Sequence, residues 1–196
     1  MRYDAEHKER TRARVIAEAA KAIRAEGPDR VGVAAIMSKA GLTHGGFYAH
    51  FASKDELITA AIDQMFKEAI GRIERARKDG PARLLATYID FYLSPAHRDA
   101  RERGCPLPSL SSDLPRLPAA ARERYTEGVR DLTGRMSASL AELDRPEPDR
   151  LATSALAEMA GAVSLSRAVS DPALSDAILA QSLRSLKQKL GLEETP

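Results

Sequence analysis

Apolar residues recur at intervals of three and four along most of this chain, and no stretch alternates apolar and polar long enough to predict a strand. Over residues 9–26, Val15, Ile16, Ala19, Ala20 and Ile23 fall on one helical face before Gly27-Pro28 interrupts. Residues 33–40 form a short second stretch closed by Gly41, a residue suited to the left-handed cap. Residues 43–50 predict a third helix. The fourth starts at Ser53, where Ser53-Lys54-Asp55-Glu56 fits a capping box whose hydroxyl and carboxylate satisfy orphan amides. Its stripe of Ile58, Ile62, Met65, Phe66, Ala69 and Ile73 runs on to Gly80-Pro81. Further helices are predicted over 82–93, stopped by Pro95, and over 118–143, 149–169 and 173–190, the last capped by Gly191. Pro106, Pro108, Pro115 and Pro118 restrict helix between 104 and 118 to short pieces, and residues 193–196 are expected to fray. The fold class is all-α.

The third of these helices carries an anomaly. Gly45 and Gly46 sit in mid-segment, where each costs about 1 kcal/mol relative to alanine. Two short helices joined through Ala40-Gly41-Leu42 have the shape of a helix-turn-helix, with Thr43 at the N-cap of the second. On that second helix His44, Gly45 and Tyr48 share a side, while Phe47 turns inward toward Val15, Ile16 or Ile36. A bare backbone at 45–46 fits a helix pressed into a DNA major groove, where side chains would collide with bases or sugars. Tyr48 and Lys54 can then bond phosphates and His44 can reach a base edge. The free amides of the helix N-terminus also favour phosphate.

Three strings carry a family resemblance. Ala40-Gly41-Leu42-Thr43, Phe47-Tyr48-x-His50-Phe51 and Ser53-Lys54-Asp55-Glu56-Leu57 together resemble the DNA-binding domain of the TetR family of bacterial transcriptional regulators, over residues 8–65. The resemblance implies an all-helical homodimer. A three-helix helix-turn-helix domain would occupy residues 1–53 and a helical ligand-binding and dimerisation domain 54–196, with a helix of about 54–79 linking the two. DNA contacts are implied for Thr43, His44, Gly45, Gly46, Tyr48 and His50, with a phosphate contact from Lys54. One departure is visible. Members commonly begin their second helix with Thr or Ser, which caps the helix and touches phosphate; this chain has Gly32-Val33 there and lacks that hydroxyl. The implied function is a ligand-responsive repressor, not an enzyme. It would bind a palindromic double-stranded DNA operator through residues 43–50 and answer to an unknown small-molecule effector.

Beyond residue 70 the resemblance thins. Gly104-Cys105 resembles a pair that some members carry near their sixth helix, where in some of them the thiol senses electrophiles or oxidants. Arg101, Arg103 and a nearby helix start would raise the thiolate fraction of Cys105; the alternative is a small buried apolar residue. A reading from another class makes Cys105 the nucleophile and His97 the base of a small helical enzyme. The resemblance also implies an effector pocket, for which Met65, Phe66, Tyr88, Phe91, Tyr92, Cys105, Tyr125 and Met136 are candidates. Residues 152–169, "ATSALAEMAGAVSLSRAV", are crowded with small side chains that let helix axes approach closely. Ile178, Leu179, Leu183, Leu186 and Leu190 stripe the last helix. As the resemblance implies, residues 149–170 and 173–190 are the expected homodimer interface, favoured over a purely intrachain helix pair because reading two half-sites needs two recognition helices ~34 Å apart.

Composition and charge refine this picture only slightly. A chain of 196 residues, 43% of them hydrophobic and 30% charged, can bury one sizeable core or two small ones. No run of about 18 apolar residues predicts a membrane span, the charged N-terminus does not read as a signal peptide, and a single cysteine suits the cytosol, so a cytoplasmic protein is expected. The net charge of +2 lies entirely in residues 1–60, with ten Lys and Arg against eight Asp and Glu. Lys8, Arg10, Arg12 and Arg14 cluster there, as either the footprint of a nucleic-acid contact or a solvated helix face; Arg10 and Arg12 are read as solvated. His7, His44, His50 and His97 show no metal-ligand spacing, and no phosphate loop or dinucleotide fingerprint occurs, so neither metal nor cofactor is expected.

Overall fold

A computed structural model describes residues 2–192; the fray expected over 193–196 lies outside the described residues. Among the described residues the chain is helical and has no strand. The α-helices are α1 (Arg2–Glu26), α2 (Val33–Lys39), α3 (Lys54–Ala76), α4 (Pro81–Tyr92), α5 (Pro95–Asp99), α6 (Pro106–Leu110), α7 (Ala119–Glu142), α8 (Pro148–Ala168) and α9 (Pro172–Leu190). Short 3₁₀ turns occupy His44–Ala49, Arg77–Asp79, Arg101–Arg103 and Leu114–Arg116.

Two differences from the sequence reading have simple causes. Helix α1 starts well before residue 9, because the charged residues ahead of the apolar stripe are themselves good helix formers. Helix α5 lies where Pro95 was read only as a stop. Proline at the first helical position gives up no needed hydrogen bond, and the Ser94 hydroxyl caps the turn by accepting the His97 amide at 3.1 Å.

Packing divides the chain into two compact units, Met1–Lys67 with Arg101–Thr126, and Glu68–Ala100 with Glu127–Pro196. The first is built on Val15, Ala19, Ile23, Ile36, Met37, Phe47, Phe51 and Leu57, all buried. Its two sequence segments are tied by the buried Arg24, which donates to the Glu102 carbonyl at 3.1 Å. The second unit buries Leu85, Ile89, Tyr92, Met159, Val163, Leu179 and Leu186. Two arginines fasten its α5 corner. Arg98 donates to Ser175 at 2.8 Å and Asp176 at 2.6 Å, and Arg167 donates to the carbonyls of Arg98 at 2.9 Å and His97 at 3.1 Å.

His97 is the buried titratable group of that corner, 1% exposed, with ring centroids of Tyr92 and Phe91 4.8 and 5.1 Å away. Its Nδ1 lies 2.7 Å from the Tyr92 carbonyl, so that nitrogen carries the proton. Burial pushes its pKa down to about 4, assisted by the charges of Arg167 and Arg72. The folded chain therefore holds His97 neutral while the unfolded chain protonates it below about pH 6.5, and stability falls as pH drops from 6.5 toward 4. Between pH 7 and pH 5 this one group should remove about 2 kcal/mol. Urea titrations of the wild type and of His97→Gln at the two pH values check it: the variant's stability should lack this part of the pH dependence.

Candidate nucleic-acid interface

The surface singled out by the sequence is assembled from the end of α2, the 3₁₀ turn at His44–Ala49 and the start of α3. Helix α2 begins with Gly32 as its N-cap and no side-chain capping bond, as Gly32-Val33 led one to expect. It ends in a Schellman motif: Gly41 takes φ +71°, the Leu42 amide donates to the Met37 carbonyl and the Gly41 amide to Ser38, each at 2.9 Å. That left-handed residue turns the chain sharply enough to start the next segment at once.

The segment expected as the recognition helix is a 3₁₀ turn over His44–Ala49. Two adjacent glycines do not sustain α-helical geometry, and the chain tightens to three-residue bonds, Gly46 to Thr43 at 3.1 Å and His50 to Phe47 at 2.9 Å. Thr43 occupies the N-cap position, but its hydroxyl makes no capping bond. Phe47 is 2% exposed and stacks on the equally buried Phe51 at 5.6 Å. Thr43, His44, Gly45 and Tyr48 are exposed on the other side, Tyr48 at 72%. Gly46 and His50 are half-buried. A methyl group placed on Gly45 would meet nothing within 4 Å, and one on Gly46 would touch Met37 only at an ordinary 3.8 Å. Neither residue has a positive φ.

His50 keeps Nδ1 buried without a hydrogen bond. Burial lowers its pKa, and the charges of Lys8 and Arg12 lower it further, so the site disfavours the charged ring. Lys54 opens α3, half-buried, among that helix's free amides. The capping box is present in modified form. Ser53 Oγ accepts the Glu56 amide at 3.1 Å, while the Glu56 carboxylate accepts the Ala52 amide at 2.7 Å, one residue ahead of the usual partner. The Ala52 amide is the chief cause of a lowered Glu56 pKa, with Arg12 adding to it.

Arg12 is not the solvated cation the sequence suggested. One guanidinium nitrogen donates to the His50 carbonyl, another pairs with Glu56 at 2.9 Å, and the group lies 4.1 Å from the centre of the Phe51 ring. Sequence reasoning missed this because the partners lie about 40 residues away. Beside it opens a cleft of about 420 Å³, lined by Arg12, Asp55, Glu56, Thr59, Ala60, Asp63, Pro118, Ala120 and Arg124.

None of the expected effector-pocket residues lines that cleft. Met65, Phe66, Cys105 and Tyr125 fall in the first unit, and Tyr88, Phe91, Tyr92 and Met136 in the second. Phe66 and Tyr125 meet edge-to-face at 5.4 Å, and burial pushes the Tyr125 hydroxyl pKa up, with Cys105 contributing. Cys105 is 3% exposed at the N-cap of the five-residue α6. Tyr88 and Tyr92 meet edge-to-face at 5.8 Å, Met136 is fully buried, and Phe91 is 40% exposed with the Arg72 guanidinium 5.5 Å from its ring.

Residues 15–61 match the family described as bacterial regulatory proteins, tetR family, and residues 80–181 match the tetracyclin repressor-like C-terminal domain. No curated protein sequence matches the chain. Among solved structures, a TetR transcriptional regulator from Chloroflexus aurantiacus is similar at 26% identity over 95% of this chain and 96% of that one, with a TM-score of 0.80. NemR of E. coli in its reduced form is similar at 20% identity over 95% and 99%, with a TM-score of 0.79. A TetR-family regulator from Agrobacterium tumefaciens is similar at 22% identity over 91% and 98%, with a TM-score of 0.77.

The modified cap gives a stability prediction independent of any ligand. Ser53→Ala should remove the hydroxyl that satisfies the Glu56 amide and cost about 1 kcal/mol, read as a lowered midpoint in chemical denaturation with an unchanged slope.

Proposed function

The chain belongs to the tetR family of bacterial regulatory proteins, and from that premise we propose that it is a ligand-responsive, homodimeric cytoplasmic repressor that reads a palindromic operator through the turn at His44–Ala49. The observation that carries this reading is Gly45. It is exposed, it has an ordinary backbone conformation, and open space surrounds the position of its missing methyl. Nothing inside the protein requires glycine there, so the requirement comes from outside, from a surface that approaches the backbone closely. The floor of a DNA major groove is such a surface. Around it Thr43, His44 and the highly exposed Tyr48 are free to meet base edges and phosphates. Gly46 and His50 flank the same turn, and Lys54 with the first amides of α3 supplies a phosphate site. The functional division at residues 1–53 and 54–196 belongs to this proposal.

Dimerisation is proposed through α8 and α9. Thr153, Ala157, Gly161 and Leu165 recur every fourth residue on the exposed side of α8 without a charge among them, and Leu165 and Leu174 are 59% and 48% exposed. A small-residue stripe with exposed leucines suits a second copy of the same helices. Control by an effector follows as a population shift: a small molecule that binds one conformation more tightly favours a state in which the two recognition turns no longer match adjacent grooves. Its differential affinity for that conformation sets the size of the response. In this reading Cys105 is a core residue, because its burial shields the thiol from reagents in solution. The enzyme alternative lacks a competent base, since His97 is buried, has Nδ1 committed to a carbonyl and has a pKa of about 4.

Gly45→Ala separates the two roles of that position. It should leave stability unchanged or raise it by up to about 1 kcal/mol, yet weaken operator binding at least tenfold, about 1.4 kcal/mol. Thermal melts and fluorescence anisotropy on the same preparation measure both, and an alanine variant that binds as tightly as wild type removes the central support. Tyr48→Ala should weaken binding by on the order of 1 kcal/mol per subunit without loss of helicity by circular dichroism. Leu165→Glu should shift the protein toward monomer in sedimentation equilibrium, with operator affinity falling in parallel.

A further inference from the structure

The recognition turn is ill-equipped to hold its own shape. Two of its six residues are glycine, its bonds are of the weaker three-residue kind, and Thr43 contributes no side-chain cap. Yet its exposed residues can select a sequence only from a fixed position. The side chain that reaches it from α1 is Arg12, which holds the exit of the turn at three consecutive features. It donates to the His50 carbonyl, lies 4.1 Å from the centre of the Phe51 ring, and pairs at 2.9 Å with Glu56, which itself accepts the Ala52 amide at 2.7 Å. One planar cation thus links α1 to the end of the turn and to the first residues of α3, a geometry a guanidinium can satisfy and an ammonium cannot.

We propose that Arg12 is a positioning residue for sequence-specific DNA recognition, which acts through His50 and Glu56 and makes no phosphate contact itself. The inference rests on the DNA-reading function proposed above. It differs from the ordinary expectation for an arginine in a basic cluster beside DNA, which is a phosphate contact. The two roles have opposite signatures. Losing a phosphate contact weakens binding to every sequence alike and lowers the salt slope by about 0.9 per contact. Losing a positioning contact weakens binding to the chosen sequence, spares non-specific binding and leaves the slope unchanged. Glu56 sharpens the distinction. Removing a carboxylate near phosphates strengthens binding if charge is all that matters, whereas removing the partner that holds Arg12 weakens it.

The test uses the full-length chain and the duplex that the wild type enriches from a random-sequence library, with a scrambled duplex of equal length as control. Arg12→Ala and Glu56→Gln are each expected to lower affinity for the enriched duplex tenfold or more, with the scrambled duplex and the salt slope unchanged. Arg12→Lys should recover only part of the loss. Backbone hydrogen exchange without DNA should quicken in Arg12→Ala over residues 47–56 and stay unchanged over α8 and α9, which separates local loosening from general unfolding. A drop in the salt slope with equal losses on both duplexes overturns the inference and makes Arg12 a phosphate contact. Tighter binding by Glu56→Gln, or unchanged exchange over 47–56, overturns it as well. A wild-type chain that enriches no sequence overturns the repressor reading instead; faster exchange would then still support Arg12 as the residue that holds the turn.

Discussion

The structure is governed by a conflict at one short turn. The segment His44–Ala49 is bare on its outer side at Gly45 and yet held in place, and glycine supplies the first property at the expense of the second. Everything around the turn acts to restore rigidity. The left-handed Gly41 sets the entry angle, Phe47 and Phe51 anchor the inner side in the core, and Arg12 clamps the exit. Each of these contacts comes from outside the turn or points away from its exposed surface, so that surface stays free of side chains that serve packing.

The modified capping box shows the same economy. Glu56 gives one carboxylate oxygen to the Ala52 amide and the other to Arg12, so a residue in the first turn of α3 also ties that turn to α1. Its lowered pKa follows from those two donors, the backbone amide first. The polar bonds of the second unit play a comparable part around α5, where Arg167 meets the His97 and Arg98 carbonyls that the short helix leaves without internal partners, and Arg98 ties the helix to Ser175 of α9.

Much of this was legible in the sequence, and what was not has a consistent explanation. The helix boundaries at Gly27, Gly41, Gly80 and Gly191 were readable because each is a positive-φ glycine, a local requirement with a local signature. The buried position of Phe47 followed from its side of the segment. The conformation of residues 44–49 was misjudged because spacing alone does not separate an α-helix from a 3₁₀ turn; two glycines tip the balance. Helix α5 was missed because Pro95 permits a start as readily as it enforces a stop. The role of Arg12 was out of reach, since its partners His50, Phe51 and Glu56 become neighbours only after the chain has folded back on itself.

The first compact unit is discontinuous. Its early helices close around residues 101–126, with Arg24 bonded to the Glu102 carbonyl as one of the ties. During synthesis the N-terminal helices leave the ribosome long before that later segment exists. They spend the interval with part of their apolar surface uncovered, while the intervening residues 68–100 belong to a different body. A gene fragment ending near residue 67 would carry the turn at His44–Ala49 but leave out the chain that completes its core, so the natural cut for a minimal version of the first unit does not lie at any single point along the sequence.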